Sequence, residues 1–167
     1  MVDQKGRNME AQEEVNQANA AIETSKIERT KRIYKLFNKL YTDDSHPMRV
    51  RNMCTTEEEE EVALFHDAVE DSLCTYSDLV EAGLTTKECL AIALLDKRGA
   101  DCYEDYIKNI ARQVRVGHEH AILAAKVKVY DIMDHLDPVR IKNITYIKLG
   151  DYVSALEELL TALQEQE

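Results

Sequence analysis

From Ile27 onward the large apolar residues recur every three or four positions, and nowhere do they alternate convincingly with polar ones. That pattern fits amphipathic helices and leaves no segment for a half-buried strand. Punctuation agrees: 2 prolines and 5 glycines are too few for a turn-rich sandwich or barrel. Ile33, Leu36, Phe37 and Leu40 mark a first helix, ending near Tyr41 because Thr42-Asp43-Asp44-Ser45 is loop chemistry and Pro47 disfavours helix at His46. Thr55 or Thr56 before five glutamates reads as a helix start, with the acids on the positive end of the macrodipole. This helix is expected to continue through Asp71. Thr75 opens a short helix that stops at Gly83. Thr85 with Glu88 forms a capping box, and Asp101 with Glu104 opens a further helix. Two long helices follow, over about 119–136 and 145–163. The expected fold is all-α, a bundle of about six or seven helices. Residues 1–25 are polar, with few large apolar side chains to bury, and read as a loosely attached extension; residues 26–167 are the domain.

A net charge of −11 argues against a general nucleic-acid binder, which needs a basic face. It leaves room for an anionic small molecule held by local cations or a metal. No apolar run approaches the ~18–20 residues that span a bilayer, and the polar N-terminus lacks a signal-peptide core, so a cytoplasmic protein without membrane attachment is expected. Cys54, Cys74, Cys89 and Cys102 form no CxxC pair and read as reduced thiols.

The segment His66-Asp67-Ala68-Val69-Glu70-Asp71 concentrates chemistry. On a continued helix His66, Asp67, Glu70 and Asp71 fall at about 0°, 100°, 40° and 140°, on one side, with Phe65, Ala68 and Val69 on the other. One imidazole and three carboxylates on a stripe suit a divalent cation and its water; they equally suit a solvated acidic face. Further on, Lys128, Asp131 and His135 share a face within an aliphatic helix, where a half-buried Asp131 needs a partner, either Lys128 or a metal. His118 and His120 point about 200° apart on a helix and suit a solvated helix start better than a shared metal.

Taken in order, His46, His66-Asp67 and Asp131 match the H…HD…D pattern of HD-domain metal-dependent phosphohydrolases. His46-Pro47 resembles the HP pair of the RelA/SpoT-type alarmone hydrolases, and the segment 66–71 is similar to their HDxxED signature. Thr75-Tyr76-Ser77-Asp78-Leu79, Tyr103-Glu104-Asp105-Tyr106-Ile107 and Val127-Lys128-Val129-Tyr130-Asp131 resemble further motifs of that family, over roughly residues 27–163. The resemblance implies one Mn²⁺ held by His46, His66, Asp67 and Asp131, with Glu70 and Asp71 holding and activating water. The reaction it implies is release of pyrophosphate from the 3′ position of guanosine tetra- or pentaphosphate. Small stand-alone relatives also remove phosphate from NADPH, and a module that keeps the fold for binding alone is the non-enzymatic alternative. Lys97 and Arg98 match a basic pair of small relatives and are candidate substrate contacts; Lys35 and Lys39, which lack the family's spacing and suit a solvated face, Lys128, which suits steadying Asp131, Tyr146, which suits core packing, and His135 are further candidates. The last stands where the family commonly carries Asn, and is expected to face the nucleotide side of the metal.

Overall fold

In the computed structural model, residues 4–43, 45–141 and 144–166 are described. Among them the chain forms eight α-helices and one 3-10 turn at Lys97–Gly99, and no strand. The helices are α1 Gln4–Leu40, α2 His46–Arg51, α3 Glu57–Phe65, α4 Tyr76–Ala82, α5 Thr86–Leu95, α6 Tyr103–Arg115, α7 Glu119–His135 and α8 Tyr146–Gln164. The all-α expectation holds, and the helix added to it is α2. Ser45 precedes α2 with extended backbone, and Pro47 occupies the first turn. Proline is tolerated there because its missing N–H would have no intrahelical partner anyway, so His46 begins a helix rather than an extended segment.

Local chemistry accounts for most boundaries. Thr56 accepts a hydrogen bond from the Glu59 amide, and Thr75–Asp78 and Thr85–Glu88 form reciprocal capping boxes. Gly83 ends α4 with φ +108°, a left-handed conformation natural to glycine. The start of α6 lies one residue later than expected: Cys102, not Asp101, caps it, its sulfur accepting from the Asp105 amide.

The polar N-terminal segment runs straight into the first helix. Residues 4–40 form one helix of 37 residues, about 55 Å long at 1.5 Å per residue, and residues 12–28 are exposed along it. Burial begins at Arg29, half-buried, and Ile33, which is fully enclosed. Residues 1–3 of that segment, and Asp44 of the following loop, lie outside the described residues. One expectation is corrected, that of a helix continuing over 66–71. Helix α3 stops at Phe65 and the chain continues as tight turns, with the Ala68 amide reaching only to Phe65 and the Leu73 amide returning to the Ala68 carbonyl. Ser72 then takes φ +59°, where no right-handed helix can continue.

Helix α7 is the axis of the domain and packs on α2, α3, α5, α6 and α8. Ala121, Ala124 and Ala125 are buried on it and let its neighbours approach closely. Around it lie Phe37, Val50, Phe65, Ile92, Ile110 and Leu159, all essentially without exposure. Position 131, near its C-terminal end, is therefore surrounded by helices on most sides, which places a carboxylate in the core.

Candidate metal centre

Three segments far apart in sequence bring ligand-type atoms to one point. His46 comes from the start of α2, His66 from the residue capping α3, and Asp131 from α7. One atom of each lies within 4.8 Å of the others. The His46 and His66 Nε2 atoms are 3.2 Å apart, and the Asp131 Oδ1 lies 3.0 Å from the first and 3.8 Å from the second. Asp67 joins them, its Oδ2 3.1 Å from His66 Nε2 and 3.8 Å from His46 Nε2.

The other ring nitrogens show what this cluster lacks. His46 Nδ1 is 2.8 Å from Asp134 Oδ2, and a carboxylate only accepts, so Nδ1 carries the proton. His66 Nδ1 is 2.8 Å from the Ala63 carbonyl, which also only accepts. In the neutral rings both Nε2 atoms are therefore bare lone pairs facing each other and two carboxylates. Asp131 Oδ1 is buried without a hydrogen bond, although imidazole nitrogens crowd it. Four acceptors with no donor among them require a cation at their centre, either a proton or a metal ion.

Neighbouring charges are arranged to keep the carboxylates ionised. Burial opposes the Asp131 charge, but Lys128 Nζ, 2.7 Å from Oδ2, and the surrounding imidazoles hold its pKa well below the usual carboxylate range. Burial likewise disfavours charge on His66, yet Asp131 and Asp67 outweigh it and push the pKa up to about 10. Both carboxylates therefore draw positive charge to this point. Lys128 is buried over the rings of Tyr103 and Tyr106, 5.4 Å from the centroid of the latter. Asp134, 3% exposed, also accepts from Arg49 Nε at 3.1 Å and Arg140 at 2.7 Å, and so fixes the His46 ring from behind.

The centre opens into a cleft of about 610 Å³ between α7 and the start of α8, lined among others by Asp67, Lys97, Lys128, Asp131, His135 and Lys148. This volume is within the range of small-molecule sites. Three lysines share its walls with three aspartates, Asp67, Asp131 and Asp151, and of the lysines Lys97 and Lys128 are paired with Glu70 and Asp131.

Of the remaining residues singled out in the sequence, Lys97 and Lys128 line this cleft. Glu70 lies beside it, its carboxylate accepting from the Lys97 amide at 3.1 Å and paired with the Lys97 ammonium. Asp71 is exposed, and Asp67 and Asp71 both act on the Tyr41 phenol, whose pKa is raised mainly by burial and further by these two charges. Arg98 folds back onto Asp96, and Lys35 and Lys39 stand on the exposed side of α1; none of the three lines the cleft. Tyr146 is 93% exposed and also outside it. The aromatic residue at the site is instead Tyr152, whose ring stacks on His135 at 5.5 Å and 16°. His135 itself contacts Asp131 rather than only facing outward, with Nε2 3.2 Å from Oδ1. His118 caps α7 and His120 contacts Gln113, away from the centre.

Sequence reasoning missed Tyr152, Lys148 and the role of Asp134. The spacing of Lys148 and Tyr152 by four residues was the available signal, but nothing local tells which face of α8 meets α7. The four cysteines are free thiols. Among the described residues no helix is long and apolar enough to cross a membrane. Comparison with protein-family models and with curated proteins found no match.

Proposed function

We propose that the protein is a metal-dependent phosphohydrolase of the HD type, using one divalent cation, Mn²⁺ in the first instance, to hydrolyse a phosphorylated nucleotide. The observation that supports this most is the convergence of the His46 and His66 Nε2 atoms with the Asp67 and Asp131 carboxylates at the floor of a cleft. His46, His66, Asp67 and Asp131 are the residues assigned to hold the ion. A bound divalent ion lowers the pKa of a coordinated water and offsets negative charge at phosphorus.

The chain's own residues supply the rest. Lys128 keeps Asp131 ionised and oriented, and Asp134 keeps the His46 proton on Nδ1, so that Nε2 is free to bind. Lys97 and Lys148 neutralise phosphate oxygens along the cleft wall. Among the described residues Lys148 has no carboxylate partner; its ammonium lies over the Tyr152 ring, 5.5 Å from the centroid, and is free to turn toward an anion. Glu70 and Asp71 are assigned to orient the attacking water and take its proton. Guanosine 3′,5′-bis(diphosphate) is the substrate assigned, following the motif resemblance, and the location assigned is the cytoplasm.

The test is product analysis. Metal-loaded protein is incubated with a nucleotide panel that includes guanosine tetraphosphate and NADPH. Release of pyrophosphate from the former supports the assignment. Orthophosphate from NADPH alone would move it to a nucleotide phosphatase. No turnover of any member with metal bound would leave a binding module and refute the proposal.

A further inference from the structure

His135 follows Asp131 by one helical turn on α7, so the two side chains leave the same face. Its ring is held between two others. The His46 ring lies 4.8 Å away, tilted by 33°, and the Tyr152 ring stacks on it at 5.5 Å. Its Nε2 is almost as near to Asp131 Oδ1 as that of His46, 3.2 Å against 3.0 Å. Yet Oδ1 is buried without a hydrogen bond, so none of the neighbouring imidazoles satisfies it as a donor. A buried carboxylate oxygen ringed by imidazole nitrogens, none aligned to donate, is arranged for a cation shared with those rings rather than for hydrogen bonds.

From this geometry we infer that His135 is a further metal ligand, and that the centre is a three-histidine site built from His46, His66 and His135 with Asp131 and Asp67. This rests on the metal reading of the centre and adds a ligand to it. An i, i+4 pair on one helix brings two ligand atoms to one ion without backbone change. The consequence is selectivity. Carboxylate and water ligands suit Mn²⁺, whereas each added imidazole favours Zn²⁺, Co²⁺ or Ni²⁺. His135 remains partly exposed, 42% at its side chain, so it can engage an ion that enters from the cleft.

The experiment is calorimetric titration of metal-stripped full-length protein with Mn²⁺, Zn²⁺ and Co²⁺, for the wild type, His135→Asn, His135→Gln and Asp131→Ala. The visible spectrum of each Co²⁺-loaded protein is recorded alongside. Both His135 variants are expected to lose about tenfold or more in Zn²⁺ and Co²⁺ affinity while Mn²⁺ affinity changes by less than about threefold. Their Co²⁺ bands should also shift, because an oxygen donor replaces nitrogen. Two variants of different length, each with its helical circular dichroism checked, guard against loss of fold in one. Unchanged affinity ratios with superimposable Co²⁺ spectra would overturn the assignment of His135 and leave the four-ligand centre standing. Wild-type affinities in Asp131→Ala would overturn the centre itself, and the ligand role of His135 with it.

Discussion

Arg29 joins the long N-terminal helix to the body through one guanidinium, and its removal should be costly in a pH-dependent way. Nε donates to the Gly83 carbonyl at 2.7 Å, and the terminal nitrogens donate to Glu61 at 2.6 and 2.5 Å and to Glu88 at 2.9 Å. Glu61 is 5% exposed and Glu88 1% exposed. Burial first, and then the hydrogen bond it shares with Glu88, push the pKa of Glu61 up to about 8. Burial of Glu88 is outweighed by that bond, by the Thr85 amide and hydroxyl and by Arg29, so its pKa is lowered. The pair therefore keeps one proton and one charge near neutrality. Arg29→Met leaves that charge without its cation. Breaking a buried ion pair by removing one partner costs about 3–5 kcal/mol. Near pH 6 Glu61 stays protonated and Thr85 still caps Glu88, so the lower end applies; near pH 9 the wild-type Glu61 ionises beside Arg29, whereas the variant lacks the cation that lowers its pKa and must hold the proton or bury a second charge, so the upper end applies. The sign follows from linkage. Between the ordinary carboxylate range and about pH 8 the folded Glu61 keeps a proton that the unfolded chain has lost, so stability falls as pH rises through that window. Glu88 contributes in the opposite sense, its stabilisation being lost only as pH falls below the ordinary carboxylate range. Urea unfolding at pH 6 and pH 9 measures both effects, and the melting temperature should drop by about 6–20 °C, at 2–4 °C per kcal/mol. Adding Glu61→Gln to Arg29→Met should recover part of the loss at pH 9. A loss under ~1 kcal/mol, equal at both pH values, would refute the reasoning, because it would mean that neither carboxylate is buried as charge.

Other outcomes follow from the centre. Asp134→Asn leaves one neutral oxygen where a carboxylate served His46, Arg49 and Arg140 together, so the His46 tautomer is held less firmly and Mn²⁺ binding should weaken by about 10–100-fold without unfolding the helix, as measured by calorimetry. Glu70→Gln and Asp71→Asn should keep the metal but lower kcat by about a hundredfold or more, as expected when the group accepting a proton is removed; near wild-type turnover in both would show those roles to be misassigned. Lys148→Ala should raise KM about tenfold for a highly charged nucleotide while metal content and melting temperature stay unchanged, and an unaltered KM would show that the cleft does not bind its anion there.

Much of this was legible because it is local. The capping boxes Thr75–Asp78 and Thr85–Glu88 need only four consecutive residues, and the structure forms both. The pairing of Lys128 with Asp131 needs one helical turn. His66 and Asp67 come together although the helix assumed for them ends at Phe65, since adjacent residues in a tight turn also reach one point. What failed depended on longer range. The face of α8 that meets α7 decides that Tyr152 and Lys148, not Tyr146, border the site, and no neighbouring residue encodes that choice. The clamp of Asp134 on His46 spans 88 positions, and its partner Arg140 lies in the irregular segment after α7. The length of α1 through the polar residues 12–28 is not marked in the sequence, because a helix without a buried face leaves no apolar period to read.

Stoichiometric metal binding bears most directly on the account. Metal-stripped wild type and Asp131→Ala are titrated with Mn²⁺, and bound ion is counted by elemental analysis after desalting. One ion per wild-type chain, with binding lost in Asp131→Ala, is the predicted result. Equal Mn²⁺ affinity in the two proteins, or no retained ion in either, would contradict a metal centre at His46, His66, Asp67 and Asp131.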